Sequence, residues 1–128
     1  MYSPDGVREW IADDPDEECR AELEGLLDAA EAGDATAASE LDDRFSGFLQ
    51  FGTAGLRGAM AAGPFRMNRA VVRKAAAGLV AYLAQTAGPD ALVAVGYDAR
   101  HHSREFAEDT AAIVAAAGMR ARIMPRAL

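Results

Sequence analysis

Two short stretches, Leu92-Val93-Ala94-Val95 and Met119 to Met124, flank a segment of helical period, and this order narrows the fold more than any other feature of the 128 residues. The first is a continuous apolar run and reads as a strand buried on both faces. Between the two, Phe106, Thr110, Ile113, Val114 and Ala117 fall on one face of a helix expected over about 104–117, capped by Ser103 and stopped by Gly118. Strand, helix, strand in this order predicts a parallel pair. Functional loops of such sheets lie beyond the carboxyl ends of strands, where residues 96–103 fall. There Asp98 and Arg100 read as an orienting pair or a turn. His101 and His102 are adjacent and tend to point apart, which argues against a shared metal. Two parallel strands are too few to close a core, so the chain is expected to be cut short.

The front of the chain is different in texture. Residues 1–43 hold 15 acids and 2 arginines, a net −13, whereas residues 44–128 carry +6. Ser3-Pro4 is a helix start for Val7, Trp10 and Ile11. Asp14-Pro15-Asp16-Glu17 starts a second helix, with Asp14 as cap and Pro15 at the first position, carrying Cys19, Leu23, Leu26, Leu27 and Ala30 to a stop at Gly33. Asp34 caps a third, with Ala38, Leu41 and Phe45 on its apolar side. Residues 1–45 are therefore expected to be an acidic helical leader, and 46–128 a separate α/β domain. Phe48 to Phe51 reads as a short strand. Asn68 caps a long helix over about 69–87, with Val72, Ala76, Leu79, Val80 and Leu83 on one face. Arg66, Arg69, Arg73 and Lys74 crowd its start, against the helix dipole; that implies either an anion site or nearby acidic groups.

In the stretch FGTAGLRG, residues 51–58, glycine returns at every third position as Gly52, Gly55 and Gly58, with Thr53 and Arg57 between. Glycine admits positive φ and close approach to the backbone. Exposed N–H groups beside a guanidinium form an anion cradle, since Arg grips phosphate through parallel N–H···O bonds. The plain alternative is a tight glycine turn with a surface arginine. The spacing is neither a Walker A loop nor a dinucleotide fingerprint.

FGTAGLRG with VGYDARHHS at 95–103, in that order and separated by a long helix, resembles the opening of the phosphohexomutase superfamily of phosphoglucomutases and phosphomannomutases. The leader around Trp10 to Pro15 and the segment Arg66 to Arg73 are most similar to the phosphopentomutase-like and phosphoglucomutase-2-like branch. The resemblance implies a four-domain enzyme that moves a phosphoryl group between positions 1 and 6 of a hexose, using a phosphoserine and Mg²⁺. It implies an incomplete α/β/α layered domain with a mixed, partly parallel sheet. Arg57 inherits a role beside the phosphosugar, with Thr53, Gly52, Gly55 and Gly58 shaping the loop. Asp98, Arg100, His101 and Ser103 form a supporting loop. The family's T-A-S-H-N-P serine segment and D-x-D-x-D-R metal loop do not occur in these residues. No catalytic nucleophile and no metal ligand are therefore expected here, and the chain is expected to be inactive alone, its partners being a phosphosugar and the remainder of the enzyme.

Other classes fit less well. No basic and aromatic alternation suggests nucleic acid, and the acidic half would repel phosphates at long range. No run of about 18 apolar residues suggests a membrane span. Cys19 is the single cysteine, so no internal disulfide forms, and no signal peptide is visible at Met1; both fit a cytoplasmic protein. The alternative function is a non-catalytic module of the same fold that binds an anion or a partner.

Overall fold

A computed structural model describes residues 1–128. It is α/β, with one antiparallel and one parallel two-stranded sheet. The chain forms two compact units, Met1–Val71 and Val72–Leu128. No helix is long and apolar enough to cross a membrane.

The first unit opens with α1 (Pro4–Asp13), α2 (Glu17–Glu31) and α3 (Ala35–Arg44). Local chemistry sets their ends. The Ser3 hydroxyl accepts from the Gly6 N–H at 3.2 Å, and Asp34 accepts from Thr36 and Ala37 at 2.9 and 3.2 Å. Gly33, at φ +100°, lets the chain reverse after α2, and the N–H groups of Gly33 and Asp34 reach back to the carbonyls of Ala30 and Ala29. One start differs from expectation: α2 is capped by Asp16, which accepts from Glu18 and Cys19 at 3.0 and 3.4 Å, not by Asp14. Asp14 closes α1 instead, and its carboxylate accepts from the Asp16 N–H at 2.9 Å.

Val7, Ile11, Leu23, Leu27 and Leu41 meet Ala62 in one apolar cluster, flanked by Trp10, Cys19, Leu26 and Phe45. Leu23, Leu41 and Val7 are wholly buried, each contributing about 1.5–3 kcal/mol by burial. In α3, Ala37 takes the buried place expected of Ala38. The predicted strand over Phe48 to Phe51 is a correction: only Phe51 is extended and paired. β1 (Phe51–Gly52) forms a hairpin with β2 (Gly55–Leu56), because the glycines after Phe51 turn the chain onto its own downstream residues.

α4 (Arg69–Thr86) begins in the first unit and runs into the second. There β3 (Leu92–Val95) pairs in parallel with β4 (Arg120–Ile123), Leu92 opposite Arg120 and Val95 opposite Ile123. α5 (Ser103–Ala116) is the crossover and packs on both strands. The buried strand expected at Leu92 to Val95 is not realised. Its residues alternate between exposed and half-buried, with Leu92 46% exposed, since a two-stranded sheet with one helix on it cannot bury both faces. Ala107, Asp109 and Val114 are the buried residues of α5, while Ala117 is exposed beyond its end. On α4, Ala76 is buried but Leu79 is not.

Two of the arginines around the start of α4 have acidic neighbours. Arg66 pairs with Asp43 and Glu40, and Arg73 pairs with Asp109 at 3.0 Å. These three ion pairs place acidic side chains beside two of the cations that oppose the helix dipole.

Candidate functional site

The glycine loop is the turn of the β1–β2 hairpin. Gly52 faces Gly55 across it, and Thr53 and Ala54 form the two-residue tip. The glycines are not equivalent. Gly55 sits at φ +90°, a conformation that L side chains rarely take. Gly58 has ordinary φ, but a Cβ there would lie 2.6 Å from Leu49 Cδ1. Gly52 meets nothing closer than 4.0 Å and has no such constraint. Gly55→Val is thus expected to destabilise the chain by about 1–2 kcal/mol, while Gly52→Ala stays within about 0.5 kcal/mol. Urea unfolding of the two variants side by side checks this; equal, small losses would show that positive φ at Gly55 is not required.

Arg57 is exposed, and its Nε donates to the Ala54 carbonyl at 3.3 Å. That bond uses the inner nitrogen and engages neither terminal nitrogen. A guanidinium held this way keeps the forked edge that matches two phosphate oxygens. The loop is anchored just downstream. Met67 N–H donates to the Ala59 carbonyl at 2.8 Å, and Ala61 N–H to the Met67 carbonyl at 3.3 Å. Asn68, 3% exposed, donates from Nδ2 to the carbonyls of Ala61 and Gly63, both at 2.8 Å, and accepts from the Val71 N–H at 3.0 Å. It is the expected helix cap and, in addition, the tie between α4 and the chain leaving the loop.

The second loop is organised on Asp98. Its carboxylate accepts from the Ser103 hydroxyl at 2.6 Å and from the Arg100 N–H and Nε at 3.1 and 2.8 Å. The Ser103 hydroxyl first, then the Arg100 backbone, hold the Asp98 carboxyl below the usual carboxylate range. A carboxylate so engaged holds a turn rather than removing protons. Ser103 is not the helix cap expected of it: His102, at φ +67°, takes that position, and Ser103 is the first helical residue. His102 Nδ1 lies 3.0 Å from Glu105 and its ring stacks on Phe106, while the His101 ring is tilted 47° from it with centroids 6.2 Å apart. A cleft of about 460 Å³ runs along this loop, lined among others by Asp98, Arg100, His101, Arg104 and Arg126.

Thus Gly52, Thr53 and Gly55 lie in one hairpin of the first unit with Arg57 and Gly58 directly after it, and Asp98, Arg100 and Ser103 form one hydrogen-bonded turn in the second, with His101 beside it. No group of three or more His, Cys, Asp or Glu side chains is placed to hold a metal ion.

A family model described as phosphoglucomutase/phosphomannomutase, alpha/beta/alpha domain I, matches residues 49–127. Phosphoribomutase of Saccharomyces cerevisiae is 56% identical over 75 residues, 58% of this chain and 12% of the relative. A phosphoglucomutase of Staphylococcus saprophyticus is 42% identical over 79 residues, 62% of this chain and 14% of the relative. A probable phosphoribomutase of Schizosaccharomyces pombe is 39% identical over 109 residues, 84% of this chain and 18% of the relative. That last match is too long to lie wholly within 49–128, so it takes in part of the helical leader. The chain spans between 12% and 18% of the length of these curated relatives. No solved structure matches it.

Proposed function

The chain belongs to the phosphoglucomutase/phosphomannomutase family, and from that membership we propose that its glycine loop at residues 52–58 binds the phosphate of a phosphosugar in a sugar-phosphate mutase. The observation that carries this reading is the Arg57 side chain, tethered to Ala54 through Nε and presenting its terminal nitrogens from a glycine-hinged turn. Phosphoryl transfer depends mainly on positioning and on fixed positive charge around the transferred group. Arg57 supplies that charge and the N–H groups of the turn add donors; the Asp98–Arg100–Ser103 turn is proposed as a supporting element of the complete mutase. The reaction is an intramolecular phosphoryl transfer between the 1- and 6-positions of a hexose, or the equivalent positions of a pentose. Residues 46–128 are the contribution to domain I, and the acidic leader precedes them. A Mg²⁺ ion supplies charge neutralisation in such a mutase; no residue of this chain is assigned to hold it.

The 128 residues are proposed to bind phosphate without turning over. The Ser103 hydroxyl is committed to Asp98 at 2.6 Å, and no serine segment of the family's type is present. Purified alone, the chain is expected to give no interconversion of glucose 1-phosphate and glucose 6-phosphate above the buffer blank. The same residues within a four-domain mutase are expected to support turnover. Measurable interconversion by the isolated chain would contradict this assignment.

A further inference from the structure

The leader does more than precede the loop; it grips the chain that leaves it. Glu22, on α2, accepts the Ala62 N–H at 2.7 Å with Oε2, and the same oxygen accepts from Arg44 Nη1 at 2.8 Å. Arg44, at the end of α3, donates from Nη1 to the Ala62 carbonyl at 3.2 Å and from Nε to Glu40 at 2.8 Å. Both backbone hydrogen-bonding groups of Ala62 are therefore taken by side chains from the leader. Ala62 is wholly buried in the leader's apolar cluster, and the Arg44 side chain is only 11% exposed. The Phe65 N–H donates to the Arg44 carbonyl at 3.0 Å, and at Gly63, φ +110°, an added Cβ would stand 3.2 Å from Arg44 Cβ. From Ala62 the path to the loop is short. Ala61 and Ala59 are bonded to Met67, and Ala59 follows Gly58 directly.

We propose that Glu22 and Arg44 form a clamp through which the helical leader sets the position of the phosphate loop, which makes them positioning residues for Arg57. The inference rests on reading residues 52–58 as a phosphate site. Its physical basis is that charge-assisted bonds to a buried backbone unit are costly to lose and fix geometry as well as energy. A clamp of this kind acts locally: weakening it frees residues 52–62 while α1, α2 and α3 stay folded on their apolar core.

Glu22→Gln keeps an acceptor for the Ala62 N–H but loses the charge pair, and Glu22→Ala loses both. Amide hydrogen exchange of the whole chain is read residue by residue, together with the Kd for inorganic phosphate. The clamp predicts faster exchange over 52–62, by about tenfold or more in Glu22→Ala and less in Glu22→Gln. It also predicts a weaker phosphate Kd in the same order, with α1–α3 amides unchanged. Arg57→Ala, by contrast, should remove phosphate binding and leave exchange at 59–62 as in the wild type. Unchanged exchange over 52–62, or a uniform rise across the leader as well, would overturn the clamp. Faster local exchange with no phosphate binding in any form, wild type included, would overturn the phosphate reading and with it the role assigned to Glu22 and Arg44.

Discussion

Arg57→Ala, placed in a complete four-domain mutase, is expected to lower kcat/KM by a factor of about 10² or more, the scale of losing one preorganised electrostatic stabiliser. The side chain is exposed and makes a single bond, from Nε to the Ala54 carbonyl, so its removal takes little from the fold. The loss therefore falls on binding and transfer. Arg57→Lys separates charge from shape. A lysine keeps a positive charge but not the planar fork, and it cannot reproduce both the tether to Ala54 and a two-oxygen grip. It is expected to fall between the wild type and the alanine variant. Steady-state kinetics with a hexose 1-phosphate, alongside thermal melting, checks both points. An unchanged kcat/KM in Arg57→Ala would remove Arg57 from the site, and a large fall in melting temperature would assign it to the fold instead.

Asn68→Ala is expected to cost about 2–3 kcal/mol of stability: roughly 1 for the lost helix cap and the rest for the buried Gly63 and partly buried Ala61 carbonyls left without a donor. Asn68 is 3% exposed, and its bond to the Gly63 carbonyl is buried while that to the Ala61 carbonyl is partly buried. Asn68→Asp retains the acceptor for the Val71 N–H but loses the donors to Ala61 and Gly63, and is expected to keep only part of the stability. Urea unfolding followed by Trp10 fluorescence measures it, since Trp10 packs against Phe45 and Phe48 in the same unit with ring centroids 6.4 Å apart. A loss below about 1 kcal/mol for the alanine variant, the value of an ordinary cap alone, would show that the carbonyls of Ala61 and Gly63 find other partners.

What could be read in advance follows the range of the forces involved. Ser3-Pro4, Gly33, Asp34 and Asn68 each satisfy backbone groups within three residues or so, and all four were legible as helix ends. Asp14 and Asp16 stand two residues apart around Pro15, and local chemistry alone favours both; the structure uses Asp16 because Asp14 finishes α1. Phe48 to Phe51 has strand character, but its partner is decided by the turn that follows, which pairs only Phe51 and Gly52. Leu92 to Val95 has the composition of a central strand, yet burial belongs to the number of neighbouring strands and helices, not to the run itself.

The same division holds at the site. Gly55 and Arg57 are legible as a glycine turn with a surface cation, but that the turn joins Phe51–Gly52 to Gly55–Leu56 in a hairpin is not. Glu22 reaching Ala62, forty residues on, leaves no mark in sequence spacing, because the bond is to backbone and any residue type supplies it. Asn68 was recognisable as a cap but not as the tie to Ala61 and Gly63. The Ser103 hydroxyl was expected at the helix end and instead donates to Asp98, because His102 in the left-handed region turns the chain one residue earlier.

The central claim is that residues 52–58 bind the phosphate of a phosphosugar through Arg57. It is tested most directly by titrating glucose 1-phosphate into the isotopically labelled 128-residue chain and following amide chemical shifts. The account predicts saturable shifts at Gly52, Thr53, Gly55 and Gly58 that vanish in Arg57→Ala. Shifts confined to other residues, or shifts at the loop that persist without the Arg57 guanidinium, would contradict it.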